Sequence, residues 1–224
     1  MGITAKEVKE LREMTGAGMM DCKKALKEKD GNMDEAVKWL REKGMAKAAK
    51  RQDKVASEGA VQSYIHMGGK IGVLVEVNCE TDFVARGEDF QQLVRDICLQ
   101  ICSASPLCVS EDEVPRDAYE SEKELYIKQA AETGKPPEIC EKIADGKLKK
   151  WLKEVCLMDQ PFVKDPDRTI SDLLTELSGK VGEKMGIRRF VRFQLGEGIE
   201  KKESNLADEV AAELAKAEEK KANA

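Results

Sequence analysis

One stretch of this chain leaves little freedom of fold: IGVLVEVNCETDFVAR, residues 71–86. Ile71, Val73, Val75 and Val77 recur at every second position, the repeat that lines one face of a strand. Gly72, Leu74, Glu76 and Asn78 take the other face. The alternation stops at Cys79 and Glu80. Thr81 or Asp82 can cap a short helical turn, because a side-chain oxygen there accepts an orphan backbone N–H. That turn leaves Phe83 and Val84 at a strand end. By residue type alone, Phe83 folds back into its own core.

The segments on either side supply what this strand packs against. Residues 61–66 alternate as a second strand, and Met67-Gly68-Gly69-Lys70 makes the hairpin turn between the two. Gly69-Lys70 is followed by Ile71 and not by Ser or Thr, so this is not a phosphate loop. From Asp89 to Ala104, Phe90, Leu93, Val94, Ile97, Cys98, Ile101 and Cys102 keep helical spacing. This helix is expected across the apolar face of the hairpin. A last strand over residues 187–195, with Val191, Phe193 and Leu195 on one side, is expected antiparallel to the hairpin.

Ahead of the sheet come three short helices. Thr4-Ala5-Lys6-Glu7 reads as a capping box, and Val8 and Leu11 share the face of the helix it starts. Two glycines in Thr15-Gly16-Ala17-Gly18 end that helix. Met19, Cys22 and Leu26 form the stripe of a second helix, which runs to about Lys29. Met19 and Met20 are adjacent and cannot both face one core, so at least one is exposed. Asn32 and Glu35 cap a third helix, expected to stop at Gly44. Residues 45–54, MAKAAKRQDK, read as a basic linker helix.

After Pro106 the chain is helical again. Residues 110–132 read as an exposed acidic helix, and Pro136-Pro137 starts another that carries Ile139 through Val155. DQPFVKDPDR reads as a loop, and Thr169 with Asp172 caps a helix through Ile170, Leu174 and Val181. Leu206, Val210 and Leu214 mark a terminal helix. The expected divisions are a bundle over 1–44, a linker over 45–58, an α+β core over 59–198 and a C-terminal helix and tail over 199–224.

Composition narrows the chemistry. Of 224 residues, 36 % are charged and 41 % hydrophobic, and no apolar run approaches the roughly 18 residues that cross a membrane. The N-terminal residues lack the apolar core of a signal peptide, so an intracellular compartment is expected, cytoplasmic or its organellar equivalent. Seven cysteines without a CxxC pair, and one histidine, argue against a disulfide framework or a zinc ribbon. Cysteine catalysis would need a histidine partner, and the one candidate is His66. There is no GxSxG elbow. Residues 1–55 hold 14 Lys and Arg against 10 Asp and Glu, within a chain of net charge −5. That basic start suits an acidic protein surface or RNA, and the acidic remainder weakens the RNA reading. Pattern and composition thus describe an α+β binding or interaction protein with no positive sign of catalysis.

Four stretches carry a resemblance: LREMTGAGMMDCKKAL (Leu11–Leu26), IGVLVEVNCETDFVAR (Ile71–Arg86), the segment from Gly134 through GKLKKWLKEVCL to QPFVKDP (ending at Pro166), and RRFVRFQLGEGIEK (Arg188–Lys201). In this order they resemble the elongation factor Ts family, nucleotide exchange factors for the translational GTPase elongation factor Tu. The resemblance implies an N-terminal ubiquitin-associated-like bundle, then a helix-rich core module with a small antiparallel sheet. It implies elongation factor Tu as partner, contacted through Thr81, Asp82, Phe83 and Val84 of a TDFV motif, with Phe83 as a wedge near the partner's magnesium and nucleotide. Leu11, Met19 and Met20 match the family's docking surface on the bundle. His66 precedes a hairpin that resembles one touching a more distal domain of the partner. No cofactor, membrane or direct nucleic-acid contact is implied. The chain has one core module where longer members have two and is expected to lack their inserted coiled coil. A homodimer is implied because short members tend to pair. The rival reading is an RNA- or ribosome-associated module working through residues 45–54.

Overall fold

A computed structural model describes residues 3–134 and 136–199. Met1–Phe193 form one compact unit and Gln194–Ala224 a second. The described part of the second is a turn in which Gly196 and Gly198 take positive φ. The expected helix through Leu206, Val210 and Leu214 lies outside the described residues.

The first unit opens with α1 (Ala5–Thr15), α2 (Met19–Glu28) and α3 (Met33–Ala49). The capping box closes in both directions. Glu7 N donates to Thr4 Oγ1 at 3.3 Å, and Thr4 N donates to Glu7 Oε2 at 2.7 Å. Gly16 ends α1 in the left-handed region, φ +63°, where a Cβ is costly. Asn32 caps α3 by accepting from Glu35 N. Val8, Leu11, Cys22, Ala25, Leu26 and Ala36 seal the bundle's core. Met19 is not in that stripe, and both Met19 and Met20 are exposed. Nor does α3 stop at Gly44. It runs on to Ala49, with Gly44 a crossing point against a later helix and not a cap, so the expected linker helix is the end of α3 followed by turns over residues 50–54.

β1 (Glu58–Ile65) and β2 (Ile71–Cys79) form the antiparallel hairpin, with Val61 opposite Glu76 and Tyr64 opposite Val73. With β5 (Gly186–Gln194) they make a three-stranded sheet in the order β1-β2-β5. Val73, Val75 and Val77 are buried beneath α5 (Glu88–Ala104), whose Phe90, Leu93, Val94, Ile97 and Ile101 complete the main core. On β5 the alternation slips by one residue. Ile187 and Phe190 both pack on the core, while Arg188 and Arg189 both reach the Glu76 carboxylate at 2.8 Å. A strict period-two reading of that strand misses the slip.

Two further expectations change. α6 (Arg116–Ala131) and α7 (Pro137–Val155) pack on one another as a helical hairpin, so the chain does carry a paired-helix excursion. Its root is a separate cluster of Cys108, Leu152 and Cys156, flanked by Tyr119 and Trp151. The DQPFVKDPDR loop is in part a small antiparallel ladder, β3 (Pro161–Phe162) with β4 (Asp165–Thr169). Buried Phe162 pins it to the core. Thr169 and Asp172 then form a second reciprocal capping box at the start of α8 (Ile170–Val181).

Candidate functional site

The end of β2 hands the chain to α4 (Asp82–Ala85), a single turn. Thr81 is its N-cap, and Thr81 Oγ1 accepts from Val84 N at 3.4 Å. One helical turn cannot bury every side chain it carries. Ala85 is buried, Val84 is half-buried against the core, and Phe83 points away at 83 % exposure. Residue type had placed Phe83 inside. The turn geometry puts it outside, because its two successors take the inward positions. An exposed phenylalanine among charged neighbours is an uncompensated apolar surface.

Asp82 does not cap the turn. Its carboxylate pairs with Arg86 one turn on, at 2.7 Å. Both side chains are largely exposed, so the pair contributes little stability.

The turn is held from a distant part of the sequence. Thr81 N donates to Glu183 Oε2 at 3.0 Å, and Thr81 Oγ1 donates to Glu183 Oε1 at 2.7 Å. Beside them, Lys184 N donates to Glu80 Oε1 at 2.7 Å. The linker after α3 reaches the same loop. Arg51 Nε donates to the Gly182 carbonyl at 2.5 Å, and Lys184 Nζ donates to the Gln52 carbonyl at 2.6 Å. Glu183 has no signature in the sequence, since it stands about a hundred residues from its partner with no motif around it.

The other expected site residues fall into three groups. Met19 and Met20 are 52 % and 76 % exposed at the start of α2, and Met14 is exposed close by in sequence at the end of α1. These soft side chains make an apolar surface on the bundle. Leu11 is different: at 0 % exposure it is core, so it shapes the bundle and offers no surface of its own. His66 is half-buried at the hairpin end, where its Nδ1 lies 3.1 Å from Tyr64 Oη.

A cavity of about 410 Å³ lies between the bundle and α8, lined by Met14, Asp21, Arg41, Glu176 and Lys180 among others. Its charges have partners: Asp21 with Lys43 and Lys47, Arg41 with Asp172 and Glu176, and Lys180 with Asp89. All seven cysteines are buried thiols. Burial pushes Cys98 up to about 11 and Cys156 up to about 12, which holds both protonated at neutral pH. Among the described residues no group of His, Cys, Asp and Glu could hold a metal ion. None of the described helices is long and apolar enough to cross a membrane.

Comparison with known proteins gives one answer. The family model described as Elongation factor TS matches residues 3–197. The chain is 59 % identical over 216 residues to the elongation factor Ts of Alkaliphilus metalliredigens, covering 96 % of this chain and 100 % of the relative. It is 58 % identical over 212 residues to that of Geobacter sulfurreducens, covering 95 % and 98 %. It is 57 % identical over 215 residues to that of Trichodesmium erythraeum, covering 96 % and 98 %. An exposed TDFV turn at a strand end, a three-helix bundle, a sheet roofed by one long helix and likeness at this level over almost the whole length together place the chain in the elongation factor Ts family.

Proposed function

We propose that this chain is a guanine nucleotide exchange factor for elongation factor Tu, and that Phe83 is its wedge. The observation that carries the wedge is the 83 % exposure of Phe83 on a turn whose next two side chains, Val84 and Ala85, are packed and whose cap is tied down. An exchange factor makes and breaks no covalent bond. It binds its partner better when the nucleotide is gone. By linkage, the nucleotide then binds less well when the factor is present. A phosphate-loop GTPase holds its nucleotide through oriented backbone N–H groups and a magnesium ion. An apolar wedge that displaces a helix near them disturbs both without touching either. Burying one phenylalanine yields about 1.5–3 kcal/mol, enough to drive a local shift. The factor needs no cofactor of its own and acts on the GDP and magnesium held by its partner.

On this reading the exposed Met19 and Met20 add a second contact patch, which raises the effective concentration of the wedge. His66 extends the contact along the hairpin. Leu11 contributes by setting the bundle's shape. The reading includes a homodimer. Its support is the sheet face turned away from α5, where Val61, Ile65 and Leu74 are exposed, with Val191 and Phe193 exposed on β5. The RNA-binding reading has less support, because Lys47 and Arg51 of the basic linker are drawn into contacts with Asp21, Glu80 and Gly182.

The deciding experiment follows release of a fluorescent GDP analogue from purified elongation factor Tu, with wild type and with Phe83→Ala. Strong acceleration by wild type and its loss in the folded variant is the expected result. Full activity in Phe83→Ala overturns the wedge, and absence of acceleration by wild type overturns the function.

A further inference from the structure

Phe83 makes no use of its own side chain to fix its direction, because it is exposed. Its aim depends wholly on the backbone frame of the turn that carries it. That frame has two kinds of support. The inner side is packed: Ala85 is buried, Val84 rests on the core, and Gln91 Nε2 on α5 donates to the Ala85 carbonyl at 2.7 Å. The outer side begins at Thr81, and there one carboxylate takes both available donors. Glu183 accepts from the Thr81 backbone N–H and from its hydroxyl. With its proton committed to Glu183, the hydroxyl turns a lone pair toward Val84 N–H, the bond that caps α4.

Glu183 is itself held firmly. Gly182 ends α8 in the left-handed region at φ +78°, and Ser178 Oγ donates to the Glu183 carbonyl at 2.5 Å. On either side, Arg51 grips Gly182 and Glu80 grips Lys184. The carboxylate therefore transmits the position of a rigid loop to the cap of the turn.

We propose that Glu183 is the positioning residue of the exchange turn: it fixes the Thr81 hydroxyl and backbone so that Phe83 is presented to the partner in one orientation. This rests on the reading of Phe83 as the wedge. A wedge that must displace packed helices loses effect if it first has to be ordered, so a loosened cap lowers exchange without removing any surface that touches the partner.

The test is a double-mutant cycle on GDP-analogue release from elongation factor Tu, using the full chain as wild type, Glu183→Ala, Phe83→Ala and the double variant. Glu183→Ala is expected to reduce the maximal release rate about five- to twenty-fold in the wild-type background and to have no further effect once Phe83 is gone. Glu183→Gln keeps one acceptor oxygen and is expected to recover part of the loss. It also carries the test if Glu183→Ala does not fold. Losses that multiply independently, or full activity of Glu183→Ala, overturn the proposal. Amide hydrogen exchange at Val84 and Ala85 separates this from failure of the wedge itself. If Phe83→Ala proves fully active, the wedge reading falls, while faster exchange of these two amides in Glu183→Ala still supports Glu183 as the clamp of the turn. Unchanged protection there overturns the clamp.

Discussion

Gly44 on α3 and Gly179 on α8 meet backbone to backbone. A Cβ built on Gly179 would stand 2.6 Å from Gly44 Cα and from its carbonyl oxygen, and 2.7 Å from its carbonyl carbon. The reverse is not true, since a Cβ on Gly44 would meet Gly179 Cα at an ordinary 3.8 Å. The two helices therefore cross through a notch cut in α8 alone. Gly179→Ala is expected to force them apart, at a cost of about 1–3 kcal/mol. For a chain of this size that is a fall in Tm of roughly 2–4 °C per kcal/mol. Gly44→Ala is expected to be neutral or to stabilise α3 by up to about 1 kcal/mol. Thermal unfolding of the two variants checks the asymmetry.

Phe83→Ala should separate activity from stability. So exposed a side chain gives up little on truncation, and the Tm is expected to stay within about 1–2 °C of wild type. Exchange, if the wedge energy is that of one buried phenylalanine, is expected to fall about ten- to a hundred-fold. Calorimetry and GDP-analogue release on the same preparation read both quantities.

Gln100 is a fully buried amide near the C-terminal end of α5. Its Nε2 donates to Gln160 Oε1 and to the Pro161 carbonyl, both at 3.1 Å, and its Oε1 accepts from Val163 N at 2.9 Å. One side chain thus holds the β3–β4 ladder to the core helix. Gln100→Leu fits the volume but strands those three groups. It is expected to destabilise by about 2–4 kcal/mol, seen as a lower urea midpoint, with exchange at the Val163 amide speeding up more than the global change accounts for.

Asp21 ties α2 to α3 by accepting from Lys43 and Lys47. Those hydrogen bonds, Lys43 first, hold its carboxyl below the ordinary value of 3.8. Its folded-state pKa is therefore depressed relative to the unfolded chain. The stabilisation is full above the unfolded value and is lost as pH falls from about 4 through the depressed value. Asp21→Asn is expected to cost under about 1 kcal/mol at pH 7 and nothing once the wild-type carboxyl is protonated. Urea titrations of both proteins at pH 7 and pH 2.5 check the convergence.

What could be read from the sequence was what nearest neighbours decide. Thr4 with Glu7 and Thr169 with Asp172 announce helix starts because both partners of the capping box lie within one turn. Ile71 to Val77 announce a buried strand face because period two admits no other element. The misreadings share the opposite character. Gly44 looked like a stop signal, since its packing reason stands on α8, far along the chain. Gln100 carries no local signal at all, since its partners come from the segment after α7. Phe83 faced the core on residue type, and only the TDFV resemblance turned it outward. Leu11 shows the limit of that resemblance, which marks a stretch as functional without saying which of its side chains are merely holding it together. Glu183 stayed hidden because a bidentate grip on Thr81 exists only after α8 and β2 have been brought side by side.

Leu157 N donates to the Cys108 carbonyl and Met158 N to the Val109 carbonyl, each at 3.0 Å, while Leu107 N donates to the Val155 carbonyl at 2.8 Å. The chain therefore leaves the core and rejoins it at a single doorway, and the α6–α7 arm between is topologically a detour. The sheet, α5 and the TDFV turn would close without it. Lengthening a detour whose ends are already fastened together adds only a slow, logarithmic entropy term. The arm can thus drift in length between lineages, or be swapped for a foreign helical pair, with the rest of the architecture left in register.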